Sequence, residues 1–334
     1  MRENTALAEV LELDSEIVAL SELREQTVAE LQRHVHQFIA LERAPMDEGT
    51  LYHRVLGVVY QLCADILACE RADLSRDEIV QVLEPVRRVH ARSPFVARLQ
   101  QWPRGYPGDF ETVEYLVGGQ NRAQDPMARA CEAYALTRSI AQQHRNKVQH
   151  QAERIVRAMR ANPGASRIAS IACGSCPDLR SILEELPALA GELWLNDMDA
   201  GALAFSRAAL EPVAGHCEFR DGDALSAVRR MPRNAFDLVL AGGLYDYLSE
   251  RTATILLQMV YRILAPGGTF FFTNIAAGNP YRPLIEYFGD WSLIERTEED
   301  VYRACENAGF SRSNVKIERD ATGLALLVEV SKVN

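Results

Sequence analysis

The chain lacks any apolar run of the roughly 18 residues a membrane-spanning helix needs. Its first stretch, "MRENTALAEVLELDSEIVAL", interleaves acids with apolar positions where a signal-peptide core would be unbroken. Membrane insertion and export are therefore not expected, and the expected location is the cytoplasm. Basic charge is also short: 36 Lys and Arg stand against 46 Asp and Glu, a formal net charge of -10. A protein that binds by neutralising phosphates needs the opposite balance, which argues against nucleic acid and anionic membrane as partners and for a small-molecule substrate. The 7 cysteines, an odd number scattered along 334 residues, make no disulfide framework. Repeats and low-complexity tracts are missing as well.

What is present is apolar content of 48%, enough over this length for two cores. From Thr5 to about Met159 apolar residues recur at helical spacing, for example Leu51, Val55, Val58, Val59, Leu62 and Ile66. Ser75 and Glu78 have the spacing of a capping box, and the longest helical pattern runs unbroken from Pro126 to "ANPG". After Gly164 short apolar runs ("RIASIAC", "GELWLN", "HCEFR", "FDLVLAG", "TFFFTN") alternate with helical patterns, the signature of a parallel sheet covered by helices on both faces. The last two strand-like runs, joined only by "ATG", should pair antiparallel. The expected domains are an all-helical cap over 1–160 and an α/β domain over 161–334.

In such a sheet ligands lie beyond the carboxyl ends of the strands. "ACGSCP" follows the first strand, where Gly174 permits close approach and Pro177 tolerates a helix start. The second strand ends in Asp197, placed to accept from ribose hydroxyls, and the third ends near Asp223, placed to accept from an adenine amino group. Together the three strand ends specify an adenosine site. Cys173 and Cys176 supply two metal ligands at most, with no His or second pair near in sequence, so no metal site is expected.

With these residues in place, 164–334 resembles a class I S-adenosyl-L-methionine (SAM) methyltransferase domain. The likeness rests on Cys173 and Gly174, on Asp197, on "GDA" at 222–224, on "FDLVLAGGLYDYL", and on "LAPGG" at 264–268 before "TFFFTN". It implies a Rossmann-like sheet with SAM as cofactor, lined by Ala172, Cys173, Gly174, Asp197, Met198, Asp223, Ala224 and Gly242. Ser170 stands where many members carry an acid and the loop keeps a single glycine, so the contact to the SAM amino group is expected to be rearranged. Three further stretches, "PRGYPGDFETVEYL", "GLYDYL" and "NPYRPLIEYFGDWSLIERTEEDV", are similar to bacterial 3-hydroxypalmitic acid methyl ester biosynthesis proteins. The chain is also similar to the enzymes that cyclise SAM to azetidine-2-carboxylate, which share the methyltransferase fold and a helical cap.

That kinship leaves three functions open: methyl transfer to a small carboxylate or hydroxylated acceptor, cyclisation of SAM with release of methylthioadenosine, or a SAM-binding module without chemistry. Tyr106 in a Gly/Pro-ordered loop, Tyr245 after the fourth strand and Asn274 at the end of the fifth are the candidate catalytic residues, with Tyr281 as a further aromatic face. Arg138, Arg145 and Asn146, on the helix entering the first strand, could reach the carboxylate of SAM. His144 and His150 do not share a helix face and are read as surface or packing residues.

Overall fold

The computed structural model describes the backbone of residues 2–189 and 191–333 and the side chains of residues 20–187 and 191–333. Seven helices come first: α1 (Arg2–Ala40), α2 (Glu48–Arg71), α3 (Arg76–His90), α4 (Pro94–Gln101), α5 (Phe110–Gly118), α6 (Pro126–Thr137) and α7 (Ser139–Ala161). Then strands and helices alternate: β1 (Arg167–Ile171), α8 (Pro177–Ser181), α9 (Leu186–Leu189), β2 (Glu192–Asp197), α10 (Ala200–Ala209), β3 (Cys217–Asp221), α11 (Ala224–Arg230) and β4 (Phe236–Ala241). The chain continues through α12 (Glu250–Ile263), β5 (Leu264–Ile275), α13 (Glu298–Asn307), β6 (Val315–Arg319) and β7 (Ala325–Ser331). The strands form one sheet in the order β3-β2-β1-β4-β5-β7-β6. The first five run parallel, and β7 pairs antiparallel with both β5 and β6. This is a Rossmann-like methyltransferase sheet preceded by a helical N-terminal region.

The chain folds into two compact units whose bounds differ from a cut at residue 160. A helical unit takes 1–107, 120–136 and 281–291, and a sheet unit takes 108–119, 137–280 and 292–334. The helical pattern expected to run unbroken from Pro126 is interrupted at Arg138, whose extended backbone (φ -70°, ψ 161°) ends α6 and starts α7 as the chain passes between units.

In the helical unit α2 buries Leu51, Val55, Val59, Leu62 and Ile66, the face its spacing predicts, with Val58 half-buried at its margin. The Ser75–Glu78 capping box forms at the start of α3. Segment 281–291 joins this unit through specific bonds. Tyr287 donates to Glu70 (2.8 Å), Arg282 donates to Glu70 (2.9 Å), and Gln100 donates to the Phe288 carbonyl (2.8 Å).

In the sheet unit, side chains alternate across β5. Phe270 and Phe272 pack with Leu256, Val260, Val301 and Cys305 on one face. Phe271 lies on the other with Ile155 and Met159 of α7, and the Arg154 guanidinium sits 4.0 Å from its ring centroid. The turn "APGG" inside β5 sets the register against β4. Gly267 takes φ +76°, and a Cβ on Gly268 would stand 2.6 Å from the Phe236 carbonyl oxygen. Gly268→Ala should therefore cost about 1–3 kcal/mol through forced displacement of backbone, read as a lower denaturant midpoint at unchanged slope.

Candidate active site

The loop after β1 is held in an unusual backbone state. Ala172 (φ +51°), Gly174 (φ +57°) and Cys176 (φ +50°) are all left-handed, although only one of them is glycine. Main-chain bonds fix it: the Cys173 N–H donates to the Asn196 carbonyl (2.9 Å), and the Gly174 N–H donates to Asp197 Oδ2 (2.8 Å). The other carboxylate oxygen of Asp197 accepts from the Asp199 N–H (2.9 Å). Burial pushes the Asp197 carboxyl above the usual range, and these amide donors oppose that. Two fixed bonds leave lone pairs for two hydroxyl donors.

Met198 beside it is 66% exposed, an apolar side chain at the strand end. Asn196 donates to the carbonyls of Arg220 (2.9 Å) and Gly222 (2.8 Å), tying the end of β2 to that of β3. Its Oδ1 is buried and finds no hydrogen-bond partner among the described residues. Asp223 is an exposed helix cap whose carboxylate takes the Ser226 N–H (2.9 Å). Hydrogen bonds from Ser226 hold its carboxyl below the usual range, and Ala224 opens the helix it caps.

Helix α5 packs over this loop. A Cβ on Gly174 would lie 3.6 Å from that of Phe110, whose ring is 5.9 Å from Phe205 of α10. Glu114 accepts from Ser175 Oγ (2.5 Å) and from Arg180 (2.7 Å). The stretch "PRGYPGDFETVEYL" thus divides between the units: half-buried Tyr106 belongs to the helical unit, and "GDFETVEYL" to the sheet unit. Tyr281 also belongs to the helical unit.

Two candidates turn out to be built into the core. Tyr245 is 2% exposed, its ring 4.2 Å from Phe272, so it offers no open face to a ligand. Asn274 is fully buried, donates to the carbonyls of Ile275 (2.9 Å) and Ile294 (2.8 Å), and accepts from Arg296. Both brace segment 292–296, since Arg296 also donates to the Tyr245 carbonyl (2.7 Å). The structure thus places both side chains in the core, away from the open strand ends where a catalytic role was expected. The cause is the short turn at 244–247, which directs Tyr245 to the Phe270 and Phe272 face of β5 and brings its neighbour Asp246 to α7.

Asp246 meets Lys147 of α7 at 2.9 Å and accepts the Ile275 N–H at 2.6 Å. One helical turn along, Gln151 approaches Gly242 so closely that a Cβ there would stand 2.4 Å from its amide. Residues 144, 147 and 151 share a helix face, so His144 lies one turn further toward the carboxyl ends of the strands. Burial, with the Lys147 and Arg145 charges, holds its imidazole far below the usual pKa, which leaves it neutral at neutral pH. His144, Lys147 and Gln151 escape a reading of charges one at a time, but their spacing marks them in the sequence. Asn146 instead donates to Asp320 (2.7 Å), at the β6–β7 turn, while Arg145 donates to the Leu116 carbonyl (2.8 Å) and Arg138 precedes α7 at its cap.

Cys173 and Cys176 are both buried, and the hydrogen bond that Cys173 shares with Cys176, together with burial, pushes the Cys173 thiol far above its usual pKa. A thiol held protonated is a poor metal ligand. Among the described residues no group of three or more His, Cys, Asp or Glu is arranged to hold a metal.

Residues 168–268 match the family model described as a methyltransferase domain. Among curated proteins none matches the chain. A structure from Bordetella parapertussis, described as a possible exported protein, aligns over 94% of this chain and 97% of its own at 18% identity, TM-score 0.57, and so shares the fold from end to end. Magnesium protoporphyrin IX methyltransferase from Synechocystis, solved with S-adenosylhomocysteine, aligns over 59% of this chain and 88% of its own at 11% identity, TM-score 0.45. An O-methyltransferase family protein from Burkholderia thailandensis aligns over 71% and 64% at 18% identity, TM-score 0.45. Residues 168–268 of the sheet unit are thus similar to a methyltransferase domain, and the cofactor that goes with such a domain is SAM. The residues present fit it: a left-handed loop, a strand-end carboxylate with free lone pairs, and an exposed apolar side chain next to that carboxylate.

Non-glycine residues in the left-handed region are strained by about 1–2 kcal/mol, and glycine gives back roughly 0.5–1 kcal/mol in the unfolded chain. Ala172→Gly should therefore raise stability by up to about 1 kcal/mol, measured as a higher melting temperature, and a drop would show that the alanine methyl group matters more than the strain.

Proposed function

We propose that the sheet unit binds SAM at the ends of β1 and β2 and directs its methyl group to a small carboxylate-bearing or hydroxylated acceptor. The observation that carries this is the Asp197 carboxylate, fixed by the Gly174 N–H and still able to accept from a ribose. SAM supplies a methyl carbon made electrophilic by the sulfonium, and its transfer to an acceptor oxygen leaves S-adenosylhomocysteine. The chain's own contribution is alignment and exclusion of water. The Gly174 loop brings backbone to the ligand, and Phe110 with Glu114 of α5 covers that loop. An ionised carboxylate acceptor needs no base, whereas a hydroxyl acceptor does.

A second reading is intramolecular attack of the SAM amine, once it has lost a proton, on its own γ-carbon, with methylthioadenosine as the leaving group. The suggested kinship with the SAM-cyclising enzymes, which share a methyltransferase fold and a helical cap, supports this reading. Incubation of the pure protein with SAM alone separates the two. Methyl transfer predicts S-adenosylhomocysteine only once an acceptor is added. Methylthioadenosine with azetidine-2-carboxylate from SAM alone would establish cyclisation instead, and tight binding with no consumption under any acceptor would leave a binding module. For either chemistry Asp197→Ala should weaken SAM binding by roughly 1–3 kcal/mol, and unchanged affinity in the folded variant would remove Asp197 from the site.

A further inference from the structure

Lys147 and Asp246 form an ion pair almost out of water, 4% and 2% exposed. Taking two charges out of water costs more than one bond between them returns, unless their remaining hydrogen-bonding capacity is also used. That capacity is large. The Lys147 ammonium has three donors, one of them engaged by Asp246 at 2.9 Å. The Asp246 carboxylate takes Lys147 on one oxygen and the Ile275 N–H on the other at 2.6 Å, with lone pairs left on both.

Position adds to this. Asp246 follows β4, Ile275 ends β5, and α7 meets both at the carboxyl edge of the sheet, where ligands of such sheets lie. Gly242, Gly243 and His144 beside the pair are only half-buried. Ser170 near the end of β1 is buried and uncharged, so it adds no charge of its own there. A lone anion would be repelled by Asp246 and a lone cation by Lys147. A ligand carrying both charges on one carbon satisfies both.

We propose that Lys147 and Asp246 are the receptor for a zwitterionic α-amino-acid head, Lys147 taking its carboxylate and Asp246 its ammonium. The inference rests on the SAM reading for where the ligand lies. Two sources share this chemistry: the amino-acid end of SAM itself, or a free amino acid as second ligand.

The test compares S-adenosylhomocysteine with 5′-methylthioadenosine, which lacks the amino-acid end, by calorimetry on the full chain, and adds L-methionine to the S-adenosylhomocysteine-loaded protein. The variant is Lys147→Met with Asp246→Asn, which leaves no lone buried charge and keeps an acceptor for the Ile275 N–H. Single Lys147→Arg, which keeps the charge, serves as a second variant. The receptor predicts that the double variant binds S-adenosylhomocysteine roughly tenfold to a hundredfold more weakly, with methylthioadenosine changed less than twofold and Lys147→Arg intermediate. Unchanged nucleoside affinities with loss of L-methionine binding would support the receptor and make the second ligand its source. Equal losses for both nucleosides, or no change in any arm, would overturn it and leave the pair as a brace between α7 and the β4 loop. Wild-type protein that binds none of the three probes would overturn the SAM reading, and the receptor with it.

Discussion

The hydrogen bond from the Gly174 N–H to the Asp197 carboxylate, 2.8 Å long, is the constraint on which the rest of the site depends. It can form only if the backbone at 174 is left-handed, and it turns the loop after β1 toward the end of β2. Burial raises the Asp197 carboxyl above its usual range while two amide donors oppose it, and those two bonds set the direction of the carboxyl group before any ligand arrives. Asn196 extends the same device to β3, and the three strand ends become one rigid edge.

That edge is readable in the sequence because strands buried on both faces appear as short apolar runs, and the residue after such a run must lie at a strand end. Asp197 comes directly after "LWLN", and nothing else in the geometry can move it. Asp223 is equally well placed, but it also fits a helix start. Its use as the cap of α11 illustrates that one acid after a strand can serve two ends. Tyr245 and Asn274 depart from expectation for a different reason. Beyond the last paired residue the alternation of faces lapses, and the turn at 244–247 sends Tyr245 into the core and Asp246 toward α7.

Contacts distant in sequence are the least legible. Glu70 and Arg282 are 212 positions apart, yet their bonds make 281–291 part of the helical unit, while α5, amid the N-terminal helices, belongs to the sheet unit. Neither exchange is written in periodicity, because the apolar faces of 284–288 and of α5 look alike whichever core receives them. The face formed by His144, Lys147 and Gln151 lies between these cases: its spacing is visible in the sequence, but only the approach of Gly242 and Asp246 shows what it meets.

The central claim, that SAM is held at the ends of β1 and β2, is tested most directly by amide hydrogen exchange with and without S-adenosylhomocysteine. The ligand should slow exchange in the loop 172–176 and at 197–199, with the distant strands β6 and β7 unchanged. Exchange in those two segments that is indifferent to saturating ligand, or protection confined elsewhere, would contradict the account.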